Sequence, residues 1–269
     1  LIDSTHHPRF AIGESSTPLA DMILRRIAQN YQLPHLEALS TWSSWQSEFP
    51  EIACGRKRGF TYYQHHRNQA FSEQTLGQSS LLVAASANND VADTHWYRAE
   101  VDQFLFRKAV DLGVVDLLGH EIVQIDRDES GTFILRSMCQ TDETALHSDW
   151  IVDASGASSV SARLLDATDL THTLRTQTRT TYGHYRAVGS WSQKLNELGH
   201  NIGLNPFDSD DAAQHHLLEN GWLWMLRFNN GITSVGRTEW IGPEVLDNRG
   251  HSNSLAVTKA QSLPHDFHD

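Results

Sequence analysis

Leu1-Ile2-Asp3-Ser4-Thr5-His6-His7-Pro8-Arg9-Phe10-Ala11-Ile12-Gly13-Glu14-Ser15-Ser16-Thr17-Pro18 is the stretch on which the reading of this chain turns. Its first three residues read as the end of a buried strand closed by a carboxylate. Residues 8 to 18 read as loop, and Thr17-Pro18 supplies an N-cap followed by proline at the first helical position. Behind it Leu19, Met22, Ile23, Ile27 and Tyr31 recur at helical spacing, which predicts a helix over about 18–30.

Working outward, Leu33-Pro34 opens a second helical segment that ends before Phe49-Pro50. Phe60-Thr61-Tyr62-Tyr63 suits a strand, and Leu81-Leu82-Val83-Ala84 resumes one after a polar loop. From Arg98 to Gly113, the residues Val101, Phe104, Leu105, Ala109, Val110 and Leu112 form one apolar helix face, with Gly113 placed as a C-terminal cap. The chain then reads as strands at Val114–Leu117, Glu121–Asp126, Thr132–Ser137 and Asp149–Asp153. Asp128-Glu129-Ser130-Gly131 makes a hairpin turn between the middle two. Ile151-Val152-Asp153-Ala154-Ser155-Gly156 has the form of a buried strand entering a tight turn. Asn229-Asn230-Gly231 joins Trp222–Phe228 to Ile232–Gly236 as a second hairpin, and the polar stretch beyond residue 245 reads as a frayed tail.

Composition narrows the classes. With 39% hydrophobic and 20% charged residues, the 269-residue chain can bury a real core. No apolar run approaches the roughly 20 residues of a membrane span, and the first residues lack a signal-peptide pattern, so a cytoplasmic protein is expected. A net charge of −12 argues against a nucleic-acid surface. Cys54 and Cys139 stand far apart, and the 16 histidines carry no metal-ligand spacing. The doublets His6-His7, His65-His66 and His215-His216 are poor chelates on a strand, where neighbours point to opposite faces.

Several segments, in order, resemble FAD-dependent halogenases and geranylgeranyl-reductase-like flavoproteins. The opening run resembles the acidic strand end and Gly-Glu-Ser/Ala-Thr-Pro loop of that superfamily. His95-Trp96-Tyr97-Arg98-Ala99-Glu100-Val101-Asp102-Gln103-Phe104-Leu105 resembles its Arg-x-x-Phe-Asp-x-x-Leu helix. Glu121-Ile122-Val123 is similar to the strand that faces adenine, and Val152-Asp153-Ala154-Ser155-Gly156 to the turn near the pyrophosphate. Gly221-Trp222-Leu223-Trp224-Met225-Leu226 resembles the Trp-x-Trp-x-Ile-Pro signature of tryptophan halogenases, with Leu226 and Arg227 replacing its isoleucine and proline.

The resemblance implies an α/β fold, an incomplete FAD/NAD(P)-binding Rossmann-like domain with a mixed β substrate domain. Residues 1–58 and 90–168 would form the FAD side, 59–89 and 169–245 the substrate side, and 246–269 the tail. FAD would be the cofactor. Asp3 would hold the ribose hydroxyls, for which a carboxylate offers two acceptors. Arg9, Gly13, Glu14, Ser15, Arg98, Ile122, Asp153 and Gly156 would complete the cofactor contacts. Tyr62, Trp222 and Trp224 would line a substrate pocket, and Lys57 would deliver the oxidised halogen. Taken alone, Arg56-Lys57-Arg58 also reads as a solvated basic turn.

A small-molecule substrate and a separate flavin reductase would be the partners. Hydroxylation or double-bond reduction on the same fold, a non-catalytic module with an aromatic cleft, and a histidine metal protein remain open. The superfamily's Gly-x-Gly-x-x-Gly turn belongs upstream of Asp3, and the halogenases' glutamate partner of the lysine further along. This reads as the middle of a longer protein, and the 269 residues alone are expected to bind FAD weakly or not at all. Visible flavin absorbance of the purified chain tests this; stoichiometric yellow cofactor would contradict it.

Overall fold

In the computed structural model, which describes residues 1–72, 78–156 and 159–241, Asp3 stands at a strand tip. Strand β1 (Ile2–Asp3) lies in the chain order before three helices, α1 (Pro18–Tyr31), α2 (Pro34–Ala38) and α3 (Trp42–Glu48). Strands β2 (Cys54–Lys57), β3 (Gly59–Gln64), β4 (Ser80–Ala84) and β5 (Asp93–Trp96) follow, then helix α4 (Arg98–Asp111). Next come β6 (Leu117–Leu118), β7 (Glu121–Arg127), β8 (Phe133–Cys139), β9 (Asp142–Ser148) and α5 (Val160–Leu164). The last described elements are β10 (Thr178–Arg186), α6 (Trp191–Glu197), β11 (Ala212–Leu218), β12 (Gly221–Arg227) and β13 (Ile232–Trp240).

β1 pairs with β6 in parallel, Asp3 opposite Leu118. The largest sheet runs β10-β13-β12-β11-β3-β4; β11 and β3 are parallel and the remaining pairs antiparallel. β2 and β5 form a separate antiparallel pair, and β7-β8-β9 a meander. The fold is thus mixed α/β.

The core of the helical part forms where α3, β2, β5 and α4 meet. Trp45 is completely buried with Leu39, Ile52, Cys54 and Val101, and its indole Nε1 donates to the Ile52 carbonyl at 3.0 Å. That bond satisfies the one polar atom of a large buried ring.

Helix α1 starts as expected, with Thr17 Oγ1 accepting from the Ala20 amide and Pro18 in the first turn. Its orientation is not the one its pattern suggests. Leu19, Met22, Ile23, Ile27 and Tyr31 are exposed, whereas Asp21 and Ala28 are buried. The second helical segment divides at Leu39–Thr41, because Thr41 caps a new helix through the Ser44 amide.

Two strand expectations need correction. Of the expected Val114–Leu117 strand, only Leu117 lies in a strand, β6, which pairs with β1, while the Val115 carbonyl accepts from the Leu1 amino group at 2.7 Å. Asp149–Asp153 is no strand: β9 lies earlier, and its ladder to β8 ends at Ser148. Among the described residues no strand runs beside Ile151–Asp153, and Trp150 and Val152 are 85% and 91% exposed. The expected tail from residue 246 lies outside the described residues.

Gly236 shows how the large sheet accommodates its aromatics. It pairs with Trp224 on one side and Tyr182 on the other, and a Cβ there would lie 2.1 Å from the Trp224 ring. Gly236→Ala should therefore displace that ring and cost about 1–3 kcal/mol. Urea denaturation with tryptophan emission reads both effects; unchanged stability and emission would contradict the close contact.

Candidate functional site

Side chains alternate across a strand, and directly paired residues share a face. Following the register from β3 to β10, Tyr62 pairs with His215, His215 with Trp224, Trp224 with Gly236, and Gly236 with Tyr182. One face of the sheet thus carries a row of rings. Tyr62 stacks on His215 at 4.8 Å, His215 meets Trp222 at 5.2 Å, and Trp222 meets Trp224 at 5.7 Å. The three residues expected to line a pocket are on one wall.

Lys57 lies beside this face through Phe60, two residues before Tyr62 on β3. It is fully buried at the end of β2, with Nζ 4.1 Å from the centre of the Phe60 ring and donating to the Ser16 carbonyl. A solvated basic turn is excluded for this residue, although Arg56 and Arg58 on either side behave differently. Arg56 pairs with Asp211 at 2.6 Å, and Arg58 donates to Asn89.

Burial lowers the Lys57 ammonium to about 8, against the opposing pull of Asp93 and Asp21. Asp93 sits directly opposite Lys57 in the β2–β5 ladder. Asp21 reaches in from α1 and accepts from Ser16 Oγ at 3.0 Å. Burial raises both carboxyls above the usual range, each modulated by its neighbours. His95, also fully buried on β5, is pushed down to about 3 by burial and by Lys57, so it is neutral.

The loop from Arg9 to Ser16 joins this lysine to the β1 end of the molecule. Phe10 stacks on Tyr182 at 5.5 Å and meets His184 edge-on at 4.5 Å. Glu14 is 3% exposed, and its Oε1 lies 2.7 Å from His184 Nε2. Ser15 bridges to His95 through the backbone. Gly13 has φ +90°, and a Cβ there would come 3.2 Å from the Arg98 guanidinium. Arg98 holds Asp102 with two hydrogen bonds and donates to the Ile12 and Gly13 carbonyls at 2.8 and 3.3 Å. Its guanidinium therefore positions the loop.

Asp3 Oδ1 accepts from the Thr5 amide and hydroxyl, and Oδ2 lies 3.3 Å from Arg9. The Thr5 hydrogen bonds and nearby Arg9 outweigh the larger opposing effect of burial, leaving its carboxyl below the ordinary value. Ile122 sits on β7 beside an irregularity in the β7–β8 register. Asp153 is spent locally, accepting from the Ser155 amide and from the Ser161 amide and hydroxyl, which holds its carboxyl far below the usual range. Gly156 has φ +62° and its carbonyl accepts from the Ser159 amide. Asp153 and Gly156 thus shape the entry to α5, and no hydrogen bond or ion pair described here joins Asp153 to Asp3, Gly13 or Arg98.

The sequence reading missed Ser16, Asp21, Phe60, Asp93, His95, His184 and His215. Alternation on β3 and β11 could have placed Phe60 and His215 beside Tyr62. No local signal turns Asp21 inward from an amphipathic helix, and Asp-Thr-His-Trp is too short and polar to announce a buried strand.

No protein-family model matches the chain. The chain is 27% identical over 235 residues to the tetracycline 7-halogenase of Kitasatospora aureofaciens, covering 86% of this chain and 39% of that protein. It is 23% identical over 253 residues to the monodechloroaminopyrrolnitrin halogenase PrnC of Pseudomonas fluorescens, covering 90% and 40%. The crystal structure of halogenase PltM superposes with a TM-score of 0.77 at 25% identity, over 88% of this chain and 46% of that one.

The chain is similar in sequence and fold to halogenases, several of them flavin-dependent.

It spans about 40% of the length of these curated halogenases. Another structure of halogenase PltM is in complex with phloroglucinol and FAD, and it shares the fold with a TM-score of 0.76. The halogenase chondrochloren enzyme CndH shares it more distantly, with a TM-score of 0.58. Among the described residues no helix is long and apolar enough to cross a membrane, and no three His, Cys, Asp or Glu side chains group as metal ligands.

Proposed function

We propose that this chain is part of an FAD-dependent halogenase acting on a small aromatic substrate, with Lys57 presenting the oxidised halogen. The observation that carries the reading is the placement of Lys57. Its Nζ is shut away from water, lies on the Phe60 ring face, and is tied to the loop that leads from Asp3. Support also comes from the halogenase relatives, which align along most of the chain.

The residues around β1 fit the sugar end of such a cofactor. A carboxylate closes a parallel strand beside the partly exposed Arg9, and Gly13 brings bare backbone where a side chain would meet Arg98. Asp3 would accept from vicinal hydroxyls, while Arg9 and the backbone of Gly13 to Ser15 would face the rest of the group. When bound and reduced, FAD supplies with dioxygen and halide the oxidising power for halogenation.

The chain's own residues then do the following. As an ammonium, Lys57 Nζ would donate to the oxygen of hypohalous acid and orient its halogen towards the substrate. As a neutral amine it would attack that halogen, the nitrogen–halogen bond forming as the halogen–oxygen bond breaks and the departing hydroxide takes the amine proton as water. Lowering its basicity to about 8 makes the neutral amine accessible near physiological pH. Tyr62, Trp222 and Trp224 would hold an aromatic ring by stacking, with residues 59–89 and 169–245 as the substrate side. A separate flavin reductase and a cytoplasmic setting complete the proposal.

Lys57→Met in the protein carrying this chain should abolish halogenation, by about 100-fold or more. Thermal stability should fall, because the Ser16 carbonyl and the nearby acids Asp21 and Asp93 lose a buried donor and counter-charge, so product is assayed at a temperature where the variant is folded. Product analysis by mass spectrometry reads the first outcome. Halogenation at the parental rate would overturn the role given to Lys57.

A further inference from the structure

Lys57 is an ammonium buried beside two buried carboxyls, and the charges need not cancel. Asp93 is 5% exposed and Asp21 is 5% exposed, and the two side chains lie within hydrogen-bonding reach of each other. Asp21 Oδ2 receives the Ser16 hydroxyl, but Asp21 Oδ1 and Asp93 Oδ2 receive no donor from any other group. Two ionised carboxylates packed together would leave these oxygens unsatisfied and repelling. One proton between them removes both defects.

Ser16 links the acids to the lysine. Its carbonyl accepts from Lys57 Nζ, its hydroxyl donates to Asp21, and that same hydroxyl accepts from the Thr94 amide at 3.2 Å. Its own amide donates to the Thr94 carbonyl at 3.0 Å. The remaining titratable neighbours felt by Lys57 are His95 and His215, both held towards neutrality by burial. Among the described residues, Asp93 and Asp21 are the acids that act on Lys57.

We propose that Asp21 and Asp93 form a carboxyl–carboxylate pair sharing one proton, whose single negative charge positions Lys57 and sustains its ammonium form. The inference rests on Lys57 being the functional lysine, and it makes Asp21 and Asp93 positioning residues. The arrangement carries no net charge: one ammonium faces one shared anion. Both raised carboxyls and the lowered lysine agree with such a unit, which titrates as a whole.

Carboxyl- and lysine-selective carbon-13 NMR tests the pair without turnover. The sequence has four lysines, Lys57, Lys108, Lys194 and Lys259, so the Lys57 signal is assignable by its loss in Lys57→Arg. In the unsubstituted chain, one aspartate proton should persist to near neutrality. Asp21→Asn or Asp93→Asn should abolish that late step and return the surviving carboxyl towards the ordinary acid range. The double variant should lower the Lys57 midpoint by about one unit or more, as a desolvated ammonium loses its counter-charge. If all aspartates ionise in the usual acid range, or if the Lys57 midpoint stays put in a folded double variant, the proposal is wrong. The first readout needs no substitution, so misfolding of a variant cannot shelter it. Failure here is separate from failure of the functional reading, which Lys57→Met decides through product formation.

Discussion

The Lys57 side chain, buried on the Ser16 carbonyl, is the contact that ties the parts of this structure together. Removing an ammonium from water costs several kcal/mol even after relaxation. Here the cost is offset by a carbonyl, by the face of Phe60 and by the nearby acids. Each comes from a different piece of chain: the 9–16 loop, the start of β3, helix α1 and strand β5. The lysine can stay where it is only if all four converge. This is why α1 turns Asp21 inward and leaves Leu19, Met22 and Ile23 outside.

The loop held by that contact is also what connects the strand tip at Asp3 with the aromatic sheet. Arg98 fixes it at Ile12 and Gly13, Glu14 fixes it to His184, and Phe10 lays it on Tyr182. A cofactor at Asp3 and a substrate at the aromatic row would thus be separated by one segment with several anchors. The two faces of the sheet are chemically distinct. His215 joins Tyr62 and Trp222 on the lysine side. His216 faces the other way, towards Tyr63, Trp191 and the His65 ring nitrogen 2.9 Å away.

Much of this was legible from residue patterns. Thr17-Pro18 announced α1, the apolar face of 98–112 announced α4, and Asn229-Asn230-Gly231 announced the β12–β13 turn. The alternation rule also foretold the split of His215 from His216. What failed was information held by distant neighbours. Ile151-Val152 has a strand's composition but no strand beside it among the described residues. Lys57 sits between two arginines in sequence, and its burial comes from Ser16, Asp21 and Asp93, which no local window contains.

The central claim is that Lys57 and the aromatic row share one binding face. A crystal structure of the protein carrying this chain, grown with FAD and a phenolic compound, tests it most directly. The account predicts the phenol ring stacked among Tyr62, Trp222 and Trp224, about 4.5–7 Å between ring centres, with its reacting edge towards Lys57 Nζ. A phenol seated instead on the opposite side of the sheet, in the cavity of about 420 Å³ beside Tyr63, Leu195 and His200, would contradict it.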